Sequence, residues 1–72
     1  MDVGIKIKAY MDGLGISQVY LSNKTQIPPP KLNLSLSGKR RFTFAEYEVI
    51  CWALGVDVNE FMSPRPPEGV SA

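Results

Sequence analysis

Apolar residues recur along this chain at helical spacing, and nowhere do they alternate with period two over the length of a strand. In the first segment Ile7, Tyr10, Met11 and Leu14 share one helical face, with Asp2 placed to cap its start and Gly13 and Gly15 to end it. Ser17 is a good N-cap for a second helix, Gln18–Thr25, that turns Leu21 inward. Prolines then stand at 28, 29 and 30. Proline suits the first turn of a helix, where the amide has no intrahelical partner, although it pushes its predecessor away from helical angles. The pattern places a third helix at about residues 29–37, stopped by Gly38.

The next two segments carry stronger start signals. Thr43 and Glu46 have the spacing of a capping box, opening a fourth helix with Phe44, Tyr47, Ile50, Cys51 and Leu54 on one face and Gly55 at its end. Asp57 and Glu60 repeat that spacing, which predicts a short fifth helix burying Val58, Phe61 and Met62. From Ser63 the chain holds three prolines and a glycine in ten residues, a composition that blocks helix and sheet alike. The expected organisation is therefore an all-α domain of five short helices over residues 1–62 and a flexible, proline-rich C-terminal tail over 63–72.

Composition narrows the chemistry. A chain of 72 residues builds one domain with a small core. With one cysteine and no histidine it has neither the pair for a disulfide nor the usual ligands of a zinc site. The usual general base is missing as well, no glycine-rich phosphate cradle is present, and Glu46 and Glu48, two apart on a helix, point to different sides. No apolar run approaches the roughly 20 residues of a membrane span, and no secretory-type leader opens the chain. The expectation is a reduced, cytoplasmic, non-enzymatic domain with no catalytic residues, no metal, no cofactor, no small-molecule substrate and no membrane partner.

Charge adds a direction. Residues 1–41 hold seven Lys or Arg against two Asp, a net +5, while residues 42–72 hold one Arg against five Asp or Glu, a net −4. Such a split suits a basic half that faces a polyanion and an acidic half that faces away.

Order and spacing together carry a resemblance. The run from Leu14, Gly15, Ile16, Ser17 and Gln18 through Leu21, then Leu32 to Leu36, then Ser37 to Arg40, resembles the phage-repressor helix-turn-helix family (Cro/repressor-like, XRE-type). Ile50 to Val56 followed by Asn59 to Phe61 is similar to that family's last two helices. The resemblance covers about residues 5–62 and implies a lambda-repressor-like DNA-binding domain with its helix-turn-helix at the second and third helices. It implies that the second helix lies across the DNA backbone while the third enters the major groove. Gln18 then meets a phosphate, as do Lys39, Arg40 and Arg41 after the third helix. The base-facing positions fall on Pro29, Pro30, Lys31, Asn33 and Leu34. Of these only Asn33 and Lys31 can offer hydrogen bonds to base edges; Pro29, Pro30 and Leu34 can offer apolar contact, for example to thymine methyls. A site rich in A·T pairs, weakly specific binding and lost DNA binding are all compatible with that set.

Other departures from the family matter for packing. Met11 and Leu36 stand where many members carry an Arg–Glu ion pair, so apolar contact between first and third helices is expected instead. Ser35 replaces a large aliphatic residue, Thr25 another aliphatic, and Gln26 the usual turn glycine. Val49 and Trp52, three apart on the face opposite Ile50 and Leu54, form an apolar patch expected to contact a dimer mate or another partner. Cys51 takes a small core position. The function these features imply is sequence-specific binding of double-stranded DNA by a small transcriptional regulator, repressor or Cro-like, possible as a homodimer on a two-fold-related site. The alternative is an antitoxin-like interaction module that keeps the fold and uses the Val49/Trp52 face.

Overall fold

The computed structural model describes residues 3–62, so the expectations for Asp2 and for the proline-rich segment 63–72 lie outside the described residues. Among the described residues there are four helices and no strand: α1 (Gly4–Leu14), α2 (Gln18–Thr25), α3 (Pro29–Leu36) and α4 (Phe44–Leu54). α1 packs on α3, and α2 packs on both α3 and α4. One core results, centred on Ile7, Met11, Leu21, Leu32, Leu36, Tyr47, Ile50 and Cys51. Met11 and Leu36 are both buried in it. Leu14 and Phe44, expected to face inward, are more than half exposed at 62% and 51%. Each lies at an end of its helix, where the core has already turned away.

Helix ends explain the boundaries. At the close of α1 the Ile16 amide donates to the Met11 carbonyl and the Gly15 amide to that of Asp12, with Gly15 left-handed at φ 71°. This paired arrangement, a Schellman motif, recurs at Gly38 after α3 and at Gly55 after α4. α2 ends differently. Gln26 is the one left-handed non-glycine residue described, at φ 63°, and its amide donates to the Ser22 carbonyl. The side chains around it supply what glycine does not need. The Gln26 carboxamide donates to the Asn23 carbonyl, the Thr25 hydroxyl to the Leu21 carbonyl, and the Ser22 hydroxyl to the Ile27 carbonyl, at 2.7–2.8 Å. Thr25 is thus buried with its hydroxyl satisfied. At the start of α3 no side chain caps the helix. None is required for three of its first positions, because Pro28, Pro29 and Pro30 have no N–H to satisfy.

The predicted fifth helix is not formed. Asp57 caps only an Asx turn, its carboxylate accepting from the Asn59 amide at 2.8 Å, and residues 57–61 form successive turns. The Tyr47 hydroxyl intervenes. It donates to the Val58 carbonyl and lies 3.4 Å from the Phe61 amide, the two groups that a helix through this segment would pair elsewhere. Val58 and Met62 consequently stay exposed, and Phe61 alone docks, edge-on to Tyr10 and Tyr47. Burial, helped by a hydrogen bond with Cys51, pushes the Tyr47 phenol up from 10.0 to about 12. Burial likewise raises the Cys51 thiol, so the lone cysteine stays protonated and inert as a core residue.

The crossing of α1 on α3 is tight. A β-carbon at Gly4 would stand 1.8 Å from the Ser35 carbonyl oxygen and 2.8 Å from its carbon, both backbone atoms that cannot rotate aside. Replacing Gly4 with alanine is expected to force the helices apart and destabilise the domain by about 2–3 kcal/mol, despite alanine's better helix propensity. Urea unfolding of G4A checks this; a variant as stable as the parent would show that the crossing is slack.

Candidate nucleic-acid interface

On α3, Leu32, Ser35 and Leu36 turn inward. Pro29, Pro30, Lys31, Asn33 and Leu34 are all exposed, so the five residues singled out from sequence form one surface. Gln18 sits at the start of α2, where Ser17 caps the helix by accepting from the Tyr20 amide at 3.0 Å. The two elements meet there: the Asn33 Nδ2 donates to the Gln18 Oε1 across 3.4 Å, fifteen residues apart in sequence. This long hydrogen bond lies at the outer edge of the α2–α3 contact and leaves both amides with further donors and acceptors.

The basic segment follows directly. Gly38, left-handed at φ 83°, turns the chain back, with the Lys39 amide donating to the Leu34 carbonyl at 2.9 Å. Residues 38–41 line a shallow polar hollow of about 250 Å³. The three cations in it behave differently. Lys39 and Arg41 are exposed and make no ion pair among the described residues. Arg40 turns inward. Its Nη1 donates to the Ser35 hydroxyl at 2.9 Å and to Glu46 Oε1 at 3.0 Å, and its Nη2 to Glu46 Oε2 at 3.1 Å. The two side chains keep only 27% and 19% of their exposure, so the pair is partly desolvated as well as bidentate. Glu46 also accepts from the Thr43 amide at 2.9 Å, completing the capping box of α4. One carboxylate therefore fixes the start of α4 and the guanidinium that props up α3.

Sequence reasoning did not foresee this network. It read Arg40 as a phosphate ligand alongside Gln18, Lys39 and Arg41, and of Ser35 only that it replaces a large aliphatic residue. The compensation comes from two sides: Gly4 lets the α1 backbone close over the serine, and Arg40 fills the polar space beside it. The Arg40–Glu46 spacing crosses a non-helical loop, so no periodicity announces it. Val49 and Trp52 lie on α4, apart from this surface, and Trp52 is 67% exposed with the Lys24 ammonium 5.6 Å from its ring. Lys24 was not singled out from sequence either.

The described residues thus define a small all-helical domain, in which no helix is long and apolar enough to cross a membrane and no group of His, Cys, Asp or Glu side chains could hold a metal ion. Compared with protein-family models, with curated proteins and with solved structures, the chain matches none.

The ion pair gives the domain a defined acid response. Its hydrogen bond with Arg40 holds the Glu46 carboxyl below the ordinary value of 4.5, against the opposing effect of burial and with help from the Thr43 amide. The folded state therefore binds this proton less readily than the unfolded chain. The stabilisation is fully present above pH 4.5 and is lost as pH falls through the lower, folded-state value. Melting temperature followed from neutral to acid pH should show this decline, and E46Q should lower the neutral value while flattening the acid limb. An unchanged acid limb in E46Q would assign the acid response to other carboxylates.

Proposed function

We propose that this chain is a small, non-catalytic regulator of the phage-repressor helix-turn-helix type that binds double-stranded DNA, with α3 in the major groove. The observation that carries the reading is the contact between Gln18 and Asn33, which joins the start of α2 to the exposed face of α3 beside the uncommitted cations Lys39 and Arg41. Two amide side chains on adjoining helices, flanked by positive charge, match what a duplex offers: phosphates at the groove edge and paired donors and acceptors within it. In this reading Gln18 bonds a phosphate and orients Asn33 towards an adenine. Lys31 reaches a guanine or a phosphate, while Pro29, Pro30 and Leu34 lie against thymine methyls. Lys39 and Arg41 grip the backbone. Arg40 keeps two N–H groups for the same phosphates, but its main part is to hold the loop that presents its neighbours.

A second reading has its own support. Leu34 is 44% exposed, and Pro29 and Pro30 have no amide to donate, so the outward face of α3 is poorer in hydrogen-bonding groups than a base-reading helix usually is. An antitoxin-like interaction module needs no base reading from α3 and would meet its protein partner through the exposed Val49 and Trp52 of α4.

Binding of the full chain to mixed genomic fragments at two salt concentrations, with sequencing of the bound pool, separates the two. The expected result is an enriched motif that weakens with N33A by about 1–3 kcal/mol at the position it reads. K39A and R41A should each reduce the slope of log affinity against log salt by about 0.9, uniformly across sequences. R40A should instead lower stability, by leaving Glu46 partly buried without its partner. Absence of binding at low salt would overturn the DNA reading in favour of the interaction module.

A further inference from the structure

The outward face of α3 has an apolar centre. Leu32, Ser35 and Leu36 turn inward, and at helical spacing the positions opposite them are Pro30 and Leu34, four apart on one stripe. Both are exposed, Leu34 to 44%. Neither has a side-chain donor or acceptor, and the ring of Pro30 takes the place of its amide proton. Ser37, three residues beyond Leu34 on the same stripe, does not fill the gap, because its hydroxyl is already donated to the Leu34 carbonyl at 3.1 Å. The polar groups stand at the flanks instead. Asn33, in contact with Gln18, lies on one side and Lys31 on the other, with Lys39 and Arg41 following the helix.

We propose that this strip is a subsite for the C5 methyl group of a pyrimidine, and that it takes 5-methylcytosine as readily as thymine. The inference rests on the reading of α3 as the helix that enters the major groove, and it narrows what that helix recognises. Exposed Lys31, Lys39 and Arg41 around the strip complement a polyanion, which is why a duplex is its occupant. In the major groove thymine and cytosine differ twice. At C4 one offers an oxygen acceptor and the other an amino donor; at C5 thymine alone has a methyl. A side chain that hydrogen-bonds the C4 group tells the two bases apart whatever C5 carries. Pro30 and Leu34 can make no such bond, so the base feature they answer is the apolar bump at C5. Methylation gives cytosine the same bump, whereas uracil lacks it. Burying one methyl against the strip is expected to change affinity about fourfold. Asn33 keeps its hydrogen-bonded contact with a neighbouring adenine, so methyl recognition and hydrogen-bond recognition occupy adjoining stripes of one helix.

The test uses the full chain and one randomised duplex pool prepared in four forms, with thymine or uracil and with cytosine or 5-methylcytosine. Replacing thymine by uracil should weaken binding about fourfold for each methyl contacted. Methylating the cytosines of the uracil pool should restore it, and sequencing of the bound fraction should then show cytosine where the ordinary pool shows thymine. L34A changes an exposed position and leaves the core untouched, which an unaltered melting temperature checks. It should shrink the differences among the four forms while the slope of log affinity against log salt stays as in the parent, because the cations are intact. Equal affinity for all four forms would overturn the inference and leave the DNA reading standing. A uracil effect that 5-methylcytosine does not reverse, or that L34A retains in full, would overturn it too, tracing the effect to hydrogen bonds at C4 or to duplex shape. Absence of binding to every form at low salt would overturn the inference together with the DNA reading beneath it.

Discussion

The depth at which α3 sits in the domain is set by the close passage of the α1 backbone over Ser35. Gly4 allows the two helices to touch backbone to backbone at Ser35, with Leu32 and Leu36 carried into the core on either side. A small polar residue at that crossing leaves a hydroxyl that must be satisfied. Arg40 satisfies it, and its own partly buried charge is paired by Glu46, which in turn caps α4. The chain of dependence runs from a steric requirement at one helix crossing to the geometry of a loop two turns away. Among the described residues no buried side-chain nitrogen or oxygen is left without a partner, which is what such a linked arrangement needs in order to be stable.

Much of the architecture was legible because short helices are punctuated by local chemistry. Ser17 and Thr43 as caps, the Thr43/Glu46 box, and glycines at 15, 38 and 55 act within a few residues of themselves, so their spacing in sequence is enough to locate α2 and α4 and to bound α1 and α3. The fifth helix fails for the opposite reason. The Asp57/Glu60 spacing satisfied a local rule, but Tyr47, ten residues earlier, took the Val58 carbonyl that the local pattern had reserved for the helix. Long-range competition for one acceptor leaves no mark on the segment that loses it.

The candidate surface divides along the same line. The residues expected to project from α3 could be named through the family resemblance, and all five are exposed. The fate of Arg40 could not, because three adjacent cations look alike in sequence and only the folded loop decides which one turns inward. The contact between Gln18 and Asn33 and the placing of Lys24 over Trp52 are likewise products of packing α2 against two neighbours at once. That shared role gives α2 two edges, one against α3 and one against α4.

The three prolines at the start of α3 have a consequence of a different kind. Each restricts the backbone of the unfolded chain, so the helix loses less conformational entropy on forming than an ordinary sequence of its length. Part of its stability thus arises before any contact is made, and the outward residues are released from the task of holding the helix together. The exposed face of α3 can therefore be rewritten at Lys31, Asn33 and Leu34 with little tax on folding, which is the condition under which one scaffold can acquire new specificities by drift and selection at a few positions.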